Sequence, residues 1–212
     1  MSRRSIECWS RFLVSRGAPV PTLSIALKEW DLVISDLLAG RQAILLRKGG
    51  ILEANNEFEL EHKRFLFYPT FIHQDPKMTK PERRAELRHA AQEPGEIEIR
   101  GYGEVARIFE VPVANGIAAA RTKIDQLSDL HLWDAPLLDM RFAYRPEKPL
   151  YIVVIRAFRL PALVKIQNTL EYAGCKSWVP LEQEIDITNA TQVLPDEQLT
   201  ALIQRILDTL KN

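Results

Sequence analysis

The sequence predicts an α+β fold, a curved or partly closed mixed β-sheet flanked by helices. Runs that are apolar on both alternating faces, at 41–47 and 150–160, call for strands covered on two sides. Between and after them lie stretches with three- and four-residue apolar spacing, the mark of amphipathic helices. The two kinds alternate irregularly over hairpin-length connections, which favours α+β over a doubly wound sheet.

A chain of 212 residues can bury a large core and sits at the upper end of one domain. We expect an N-terminal extension over 1–21 and a single domain over 22–212. Lys plus Arg (28) equals Asp plus Glu (28), so any basic surface must be local. Cys8 and Cys175 lie far apart and form no Cys-x-x-Cys pair, which argues against a disulfide framework or zinc knuckle and for a reducing, cytoplasmic setting. The longest apolar run, 150–155, ends at Arg156 and falls well short of the ~20 residues of a spanning helix, so no membrane partner is expected. No motif asks for a cofactor.

In chain order, 1–21 carries Arg3, Arg4, Arg11 and Arg16 against Glu7, and is expected to dock loosely through Trp9 and Phe12. A helix is expected over 22–39, burying Leu27, Trp30, Ile34 and Leu37 against the sheet and stopping at Gly40. The 41–47 strand follows and, with 150–160, is expected at the sheet's centre. Gly49-Gly50 should bend the chain, Asn55-Asn56 should turn it, and 57–62 should alternate with Phe58 and Leu60 inward. An aromatic strand, Phe65-Leu-Phe-Tyr68, runs to Pro69. Thr79-Lys-Pro-Glu82 has the capping-box pattern and predicts a surface helix over 80–92. A long strand over 96–111 should bend at Gly101 and Gly103. Short and long helices are expected over 115–128 and 196–211, the latter with Pro195 at its first turn.

Several constellations can carry chemistry. Arg47-Lys48-Gly49-Gly50 sets two cations beside glycines whose N–H groups can hold a phosphate or carboxylate, although no Walker loop follows. Lys77, Lys80, Arg83, Arg84 and Arg88 outnumber Glu82 and Glu86, and with Lys63, Arg64 and the aromatic 65–71 stretch they suit a nucleic-acid strand. Glu59, Glu61 and Lys63 share one face of a strand, and Glu61-His62-Lys63 has the Glu-x-Lys form of metal-dependent nucleases. His62, His73 and Asp75 are candidate metal ligands, and Cys175 beside Lys176 is a candidate nucleophile. Each also has a plain structural explanation as surface charge or packing.

Ala26-Leu-Lys-Glu-Trp30, Leu45-Leu-Arg-Lys-Gly-Gly-Ile51, Phe58-Glu-Leu-Glu-His62, Phe65-Leu-Phe-Tyr-Pro-Thr70 with His73-Gln74, Leu130-His-Leu-Trp133, Lys148-Pro-Leu-Tyr151 and Gly174-Cys-Lys-Ser-Trp178 together resemble the bacterial domain of unknown function 1802 family, over about 24–182. The resemblance implies no catalytic residues. It implies a DNA-linked, restriction-modification context, because such domains occur beside Mrr-type nuclease domains. A looser analogy, from the order of elements, is to small barrels of the PUA and ASCH type. It implies a cleft formed by Trp30, Arg47, Lys48 and aromatics of 65–73, with an RNA or modified base as ligand.

Three functions follow as expectations. The leading one is a non-catalytic binding module for nucleic acid or a nucleotide-like anion, using Trp30, Arg47, Lys48, Gly49, Gly50, Lys63, Arg64, Arg83 and Arg84. The second is a metal-dependent hydrolase using Glu59, Glu61, His62, Lys63 and His73. The third is a structural or partner-binding protein in which the C-terminal helix and the N-terminal extension make protein contacts, the apolar face of the helix being covered by the chain's own sheet or by a second copy in a homo-oligomer.

Overall fold

The computed structural model describes residues 20–48, 53–54, 57–58, 62–111, 113–174 and 176–211. Nine strands and four helices follow in order: β1 Thr22–Trp30, α1 Asp31–Ala39, β2 Ile44–Arg47, β3 Glu53–Ala54, β4 Glu57–Phe58, β5 Arg64–Thr70, β6 Glu96–Val111, α2 Ile117–Asp125, α3 Ala135–Ala143, β7 Leu150–Gln167, β8 Trp178–Asp186, β9 Thr191–Gln192 and α4 Asp196–Lys211. Seven strands form one mixed sheet in the order β2-β7-β6-β5-β1-β8, with β9 paired to β7, and β3 and β4 make a separate small hairpin. Among the described residues only β1 and β5 run parallel; the other ladders are antiparallel.

The sheet separates two apolar clusters, and strand alternation sorts the side chains between them. On β1 and β5, Leu27, Phe65 and Phe67 enter the larger cluster, while Ala26, Leu66 and Tyr68 enter the smaller one. β6 and β7 take part in both. β7 gives Leu150, Ile152, Val153, Val154, Ile155 and Ala157 to the larger cluster and Leu160 and Ile166 to the smaller. Its ladder with β6 shifts register between Ile99 and Gly101 and between Val105 and Arg107, the bends needed to wrap two cores. Glycine at 101 is a packing requirement: a Cβ there would lie 2.3 Å from the Phe158 carbonyl oxygen and 2.5 Å from Leu38 Cδ2.

Three expectations are corrected. First, 22–30 is a strand, and the helix begins only at Asp31. The apolar positions of 22–30 fit helical spacing, but Ala26 and Leu27 are both buried because the strand is covered on both sides. Asp31 in the first turn and Gly40 at φ +71° bound α1 as a helix dipole and a left-handed cap demand. Ile34 and Leu37 are fully buried as expected, and Trp30 is half-buried. Second, 41–47 yields only β2, which ends the ladder instead of lying at its centre; β7, between β2 and β6, is internal. Third, 80–92 forms a single 3₁₀ segment, Pro81–Glu86. Thr79 does not cap it; its hydroxyl donates to the Pro76 carbonyl (3.1 Å). Arg83, Arg84 and Arg88 reach instead for carboxylates on other elements.

The C-terminal helix, α4, packs on its own chain. Leu199 and Ile206 are buried in the larger cluster, and Leu202, Ile203, Leu207 and Leu210 pack against it. Bonds from Arg205 to Asp129 (2.6 Å) and from Lys123 to the Leu210 carbonyl fasten the helix. Leu202, Ile203, Leu207 and Leu210 remain half-buried. The 1–21 extension, apart from Val20 and Pro21, and the Gly49-Gly50 bend lie outside the described residues. Among the described residues no helix is long and apolar enough to cross a membrane.

Replacing Gly101 with Ala should force the β6–β7 bend open and lower stability by about 1–3 kcal/mol. Urea denaturation of the variant beside the native protein measures it, and an unchanged midpoint would contradict the close approach described.

Candidate functional site

The parallel pairing of β1 and β5 puts both C-terminal ends on one rim of the sheet. β6 and β8, antiparallel to them, start at that rim, and β7 ends there. The β5–β6 connection, 71–95, and the described residues of the β7–β8 connection, 168–174 and 176–177, therefore meet over the open end of the smaller core. Between them lies a cavity of about 520 Å³. Trp30, Tyr68 and Tyr172 give it aromatic walls, and Lys28, His73, Glu93, Asn168, Thr169, Lys176 and Ser177 give it polar ones.

Most of the polar lining is already committed to holding the walls. Lys28 donates to the carbonyls of Tyr172 and Gly174 (3.2 Å to the latter), and its ammonium sits 5.5 Å from the Tyr68 ring centroid. The Tyr68 hydroxyl donates to Asn168 Oδ1 (2.7 Å), whose amide nitrogen in turn donates to the Pro94 carbonyl (2.8 Å). Burial first, then the Glu93 charge and Tyr172, pushes the Tyr68 phenol well above its ordinary value, so it stays a neutral donor. Glu93 accepts the backbone N–H groups of Phe71 (3.0 Å) and Ile72 (3.2 Å). Thr169 differs: its Oγ1 is buried and has no hydrogen-bond partner, although the residue lines the cavity. A buried hydroxyl left this way costs free energy until something bonds to it.

Behind the wall, Trp30 meets Trp133 edge to face at 5.0 Å. His131 lies beside it, 3% exposed, with Nδ1 accepting the Trp133 N–H (3.2 Å) and Nε2 unpartnered. The Leu130-His-Leu-Trp133 motif is thus a prop for the cavity wall.

The residues marked out by sequence are scattered. Trp30 and His73 line the cavity; His73 sits at φ +60°. Arg47 is paired with Glu29, and the same guanidinium nitrogen also reaches the Lys28 carbonyl (3.5 Å), bridging β2 to β1 where no ladder joins them. Lys48 is buried, donates to the Phe142 carbonyl (3.1 Å), and is held below the ordinary lysine range by desolvation. Arg64 pairs with Glu104 (2.7 Å), and the Lys63 carbonyl accepts the Val105 N–H (2.8 Å). Arg83 forks onto Asp36, and Arg84 meets Asp134 (3.1 Å). His62 stands edge-on to Trp178 at 5.1 Å, and Asp75 accepts the Lys77 N–H (2.9 Å) at the start of a 3₁₀ turn. Gly49, Gly50, Glu59, Glu61 and Cys175 lie outside the described residues. Among the described residues no three His, Cys, Asp or Glu side chains gather as a metal-holding group.

Sequence reasoning missed Lys28, Glu93, Asn168, Thr169 and Tyr172. The last three follow the end of β7, and nothing in their spacing announces that they return to Tyr68. A family model described as a domain of unknown function, DUF1802, matches residues 26–205, which run from β1 into α4. The chain belongs to the DUF1802 family. No curated protein matches it. Among solved structures, this DUF1802 chain is similar to ASCH from Zymomonas mobilis, at 10% identity, 85% of this chain, 93% of that chain and a TM-score of 0.39. Two point variants of that protein align similarly, at 12% and 10% identity, over 85% of this chain and 94% and 96% of theirs, with TM-scores of 0.38 and 0.40.

Burial, with Lys80 second, pushes the His131 pKa down to about 4, whereas in the unfolded chain it returns to about 6.5. Between these values the unfolded state binds the extra proton, so stability is lost as pH falls from about 6.5 to about 4, by about 3 kcal/mol in all. Urea midpoints across this window should fall in the native protein and fall less in His131→Asn; parallel slopes would refute the assignment.

Proposed function

We propose that this protein is a non-catalytic binding module for a nucleotide-like ligand, whose planar base enters the cavity between Trp30, Tyr68 and Tyr172. The observation that carries the reading is the cavity itself. It has the size of a small-molecule site, aromatic walls and a few polar groups in its lining, among them Thr169, whose buried hydroxyl has no partner. A nucleobase offers such a site a stacking face and a hydrogen-bonding edge. Lys176 and His73, both exposed at the rim, stand where the attached phosphate would emerge. Lys28, Tyr68 and Glu93 hold carbonyls, an amide and backbone N–H groups, which supports binding more than proton transfer. Arg47 and Lys48 serve a structural end here, since their charges go to Glu29 and the Phe142 carbonyl.

Calorimetric titration with nucleosides and their monophosphates tests this. Binding should weaken at least about tenfold in Trp30→Ala, the loss of one stacking face, and also in Thr169→Val. Lys176→Ala should weaken monophosphates more than nucleosides. If no nucleoside or nucleotide binds the native protein at about 1 mM, weaker than any specific site of this size requires, the proposal fails.

A further inference from the structure

A second feature lies on α1, away from the cavity. Asp31 and Asp36 of that helix are buried, with side chains 4% and 1% exposed, and each holds two arginines. Asp36 bonds Arg41 (2.6 Å) and forks onto Arg83 (2.7 Å to each oxygen). Asp31 bonds Arg88 (2.8 Å from Nε) and Arg100. A fifth guanidinium, Arg159, donates to the Leu38 carbonyl in the last turn of α1. Glu86 is the one further carboxylate bonded to this set, through Arg83 and, at 3.9 Å, Arg41. Five guanidiniums against three carboxylates leave a surplus of two positive charges on one face of a chain with no net charge.

Arg41, Arg100 and Arg159 line a shallow groove of about 400 Å³, floored by Leu38, Leu160 and Ala162. Two of the arginines remain open to water, Arg41 at 49% and Arg88 at 58% side-chain exposure, although each has one edge fixed to a buried aspartate. A guanidinium held this way has lost its rotamer freedom during folding and keeps outward N–H donors for a bidentate acceptor. Arg88 also lies over the Phe71 ring (5.4 Å), one residue before Ile72 of the cavity. Along β6 the groove's Arg100 is five residues from the cavity's Gly95, roughly 16 Å. The basic face and the cavity are therefore within reach of one short strand of nucleotides.

We infer that the arginines anchored around α1 form a phosphate track that takes the backbone of a single-stranded nucleic acid. The proposal rests on the cavity reading only for the choice of a single strand, whose unstacked base the cavity would accept. The track itself needs only phosphates spaced along a chain.

Fluorescence anisotropy with a short abasic oligonucleotide, which presents phosphates and no bases, isolates the track. The native protein should bind it with affinity that falls steeply with salt. Arg41→Gln with Arg88→Gln leaves each buried aspartate one arginine, and should weaken binding about tenfold or more and reduce the salt slope by about 1.4. A charge-matched control, Arg64→Gln with Arg205→Gln, should bind as the native protein does. If the first double variant melts early, Arg159→Gln alone, whose side chain bonds only the Leu38 carbonyl, should still weaken binding at least twofold. Equal losses in track and control variants would overturn the inference, as would polyglutamate competing as well as the oligonucleotide, which would mark an acidic protein as the partner. Nucleoside binding should be unchanged in the track variants, so failure of the cavity reading and failure of the track remain distinguishable.

Discussion

The pairing of β6 with β7 is the constraint on which the rest of the molecule depends. Sixteen and eighteen residues long, they are the longest of the described strands, and each serves both apolar clusters along its length. A flat ribbon of that length would leave one cluster open to water, so it must bend, and the bends fall where the ladder slips at Gly101 and Val105. At Gly103 a Cβ would come within 2.8 Å of Ile155 Cγ2, so the second glycine is also a demand of packing. The curl that results brings the two ends of the sheet near one another, and Arg47 closes the gap between β2 and β1 with a side chain where no backbone ladder exists.

That curl also decides where a ligand can enter. Because β1 and β5 are parallel, their exits and the entrances of β6 and β8 share a rim, and the connecting segments there cannot pair as strands. Their backbone groups are satisfied by side chains: Glu93 takes Phe71 and Ile72, Lys28 takes Tyr172 and Gly174, and Asn168 holds Pro94. A rim built by side-chain bonds leaves space between them, which a ladder would not. The cavity is a consequence of the one parallel pair in an otherwise antiparallel sheet.

Much of the fold was legible because its signals are local. The bent 96–111 strand, the buried 150–160 run and the amphipathic 196–211 helix each declare themselves in a short window of sequence. The failures share a cause in distance. Residues 22–30 carry apolar spacing that satisfies a helix, and only the partner β5, some forty residues on, makes them a strand. The acid at 31, poised to open a helix, was the available sign that the element changes there. The 80–92 segment had a cap pattern but too little to bury, and its arginines were drawn to Asp36, Asp134 and Asp31. In the same way Trp30 and His73 could be marked from sequence, whereas Asn168, Thr169 and Tyr172 reach the cavity only because β7 runs its full length.

The fate of the arginines bears on how charge should be read in a neutral chain. Counted along the sequence, Arg83, Arg84 and Arg88 promise a solvated basic helix. In the fold they are structural: without Arg83 and Arg88 the aspartates at 36 and 31 would be buried carboxylates with fewer partners, a costly state, and Arg84 is held by Asp134. Yet the same pairing that removes their freedom also removes the entropic cost of presenting them, and a planar fork fixed along one edge still offers the other. A lysine in their place would satisfy the aspartate as a point charge and keep no such edge. Arginine at all five positions suits a surface that must hold α1, because a planar guanidinium can bond along one edge and leave the other to water.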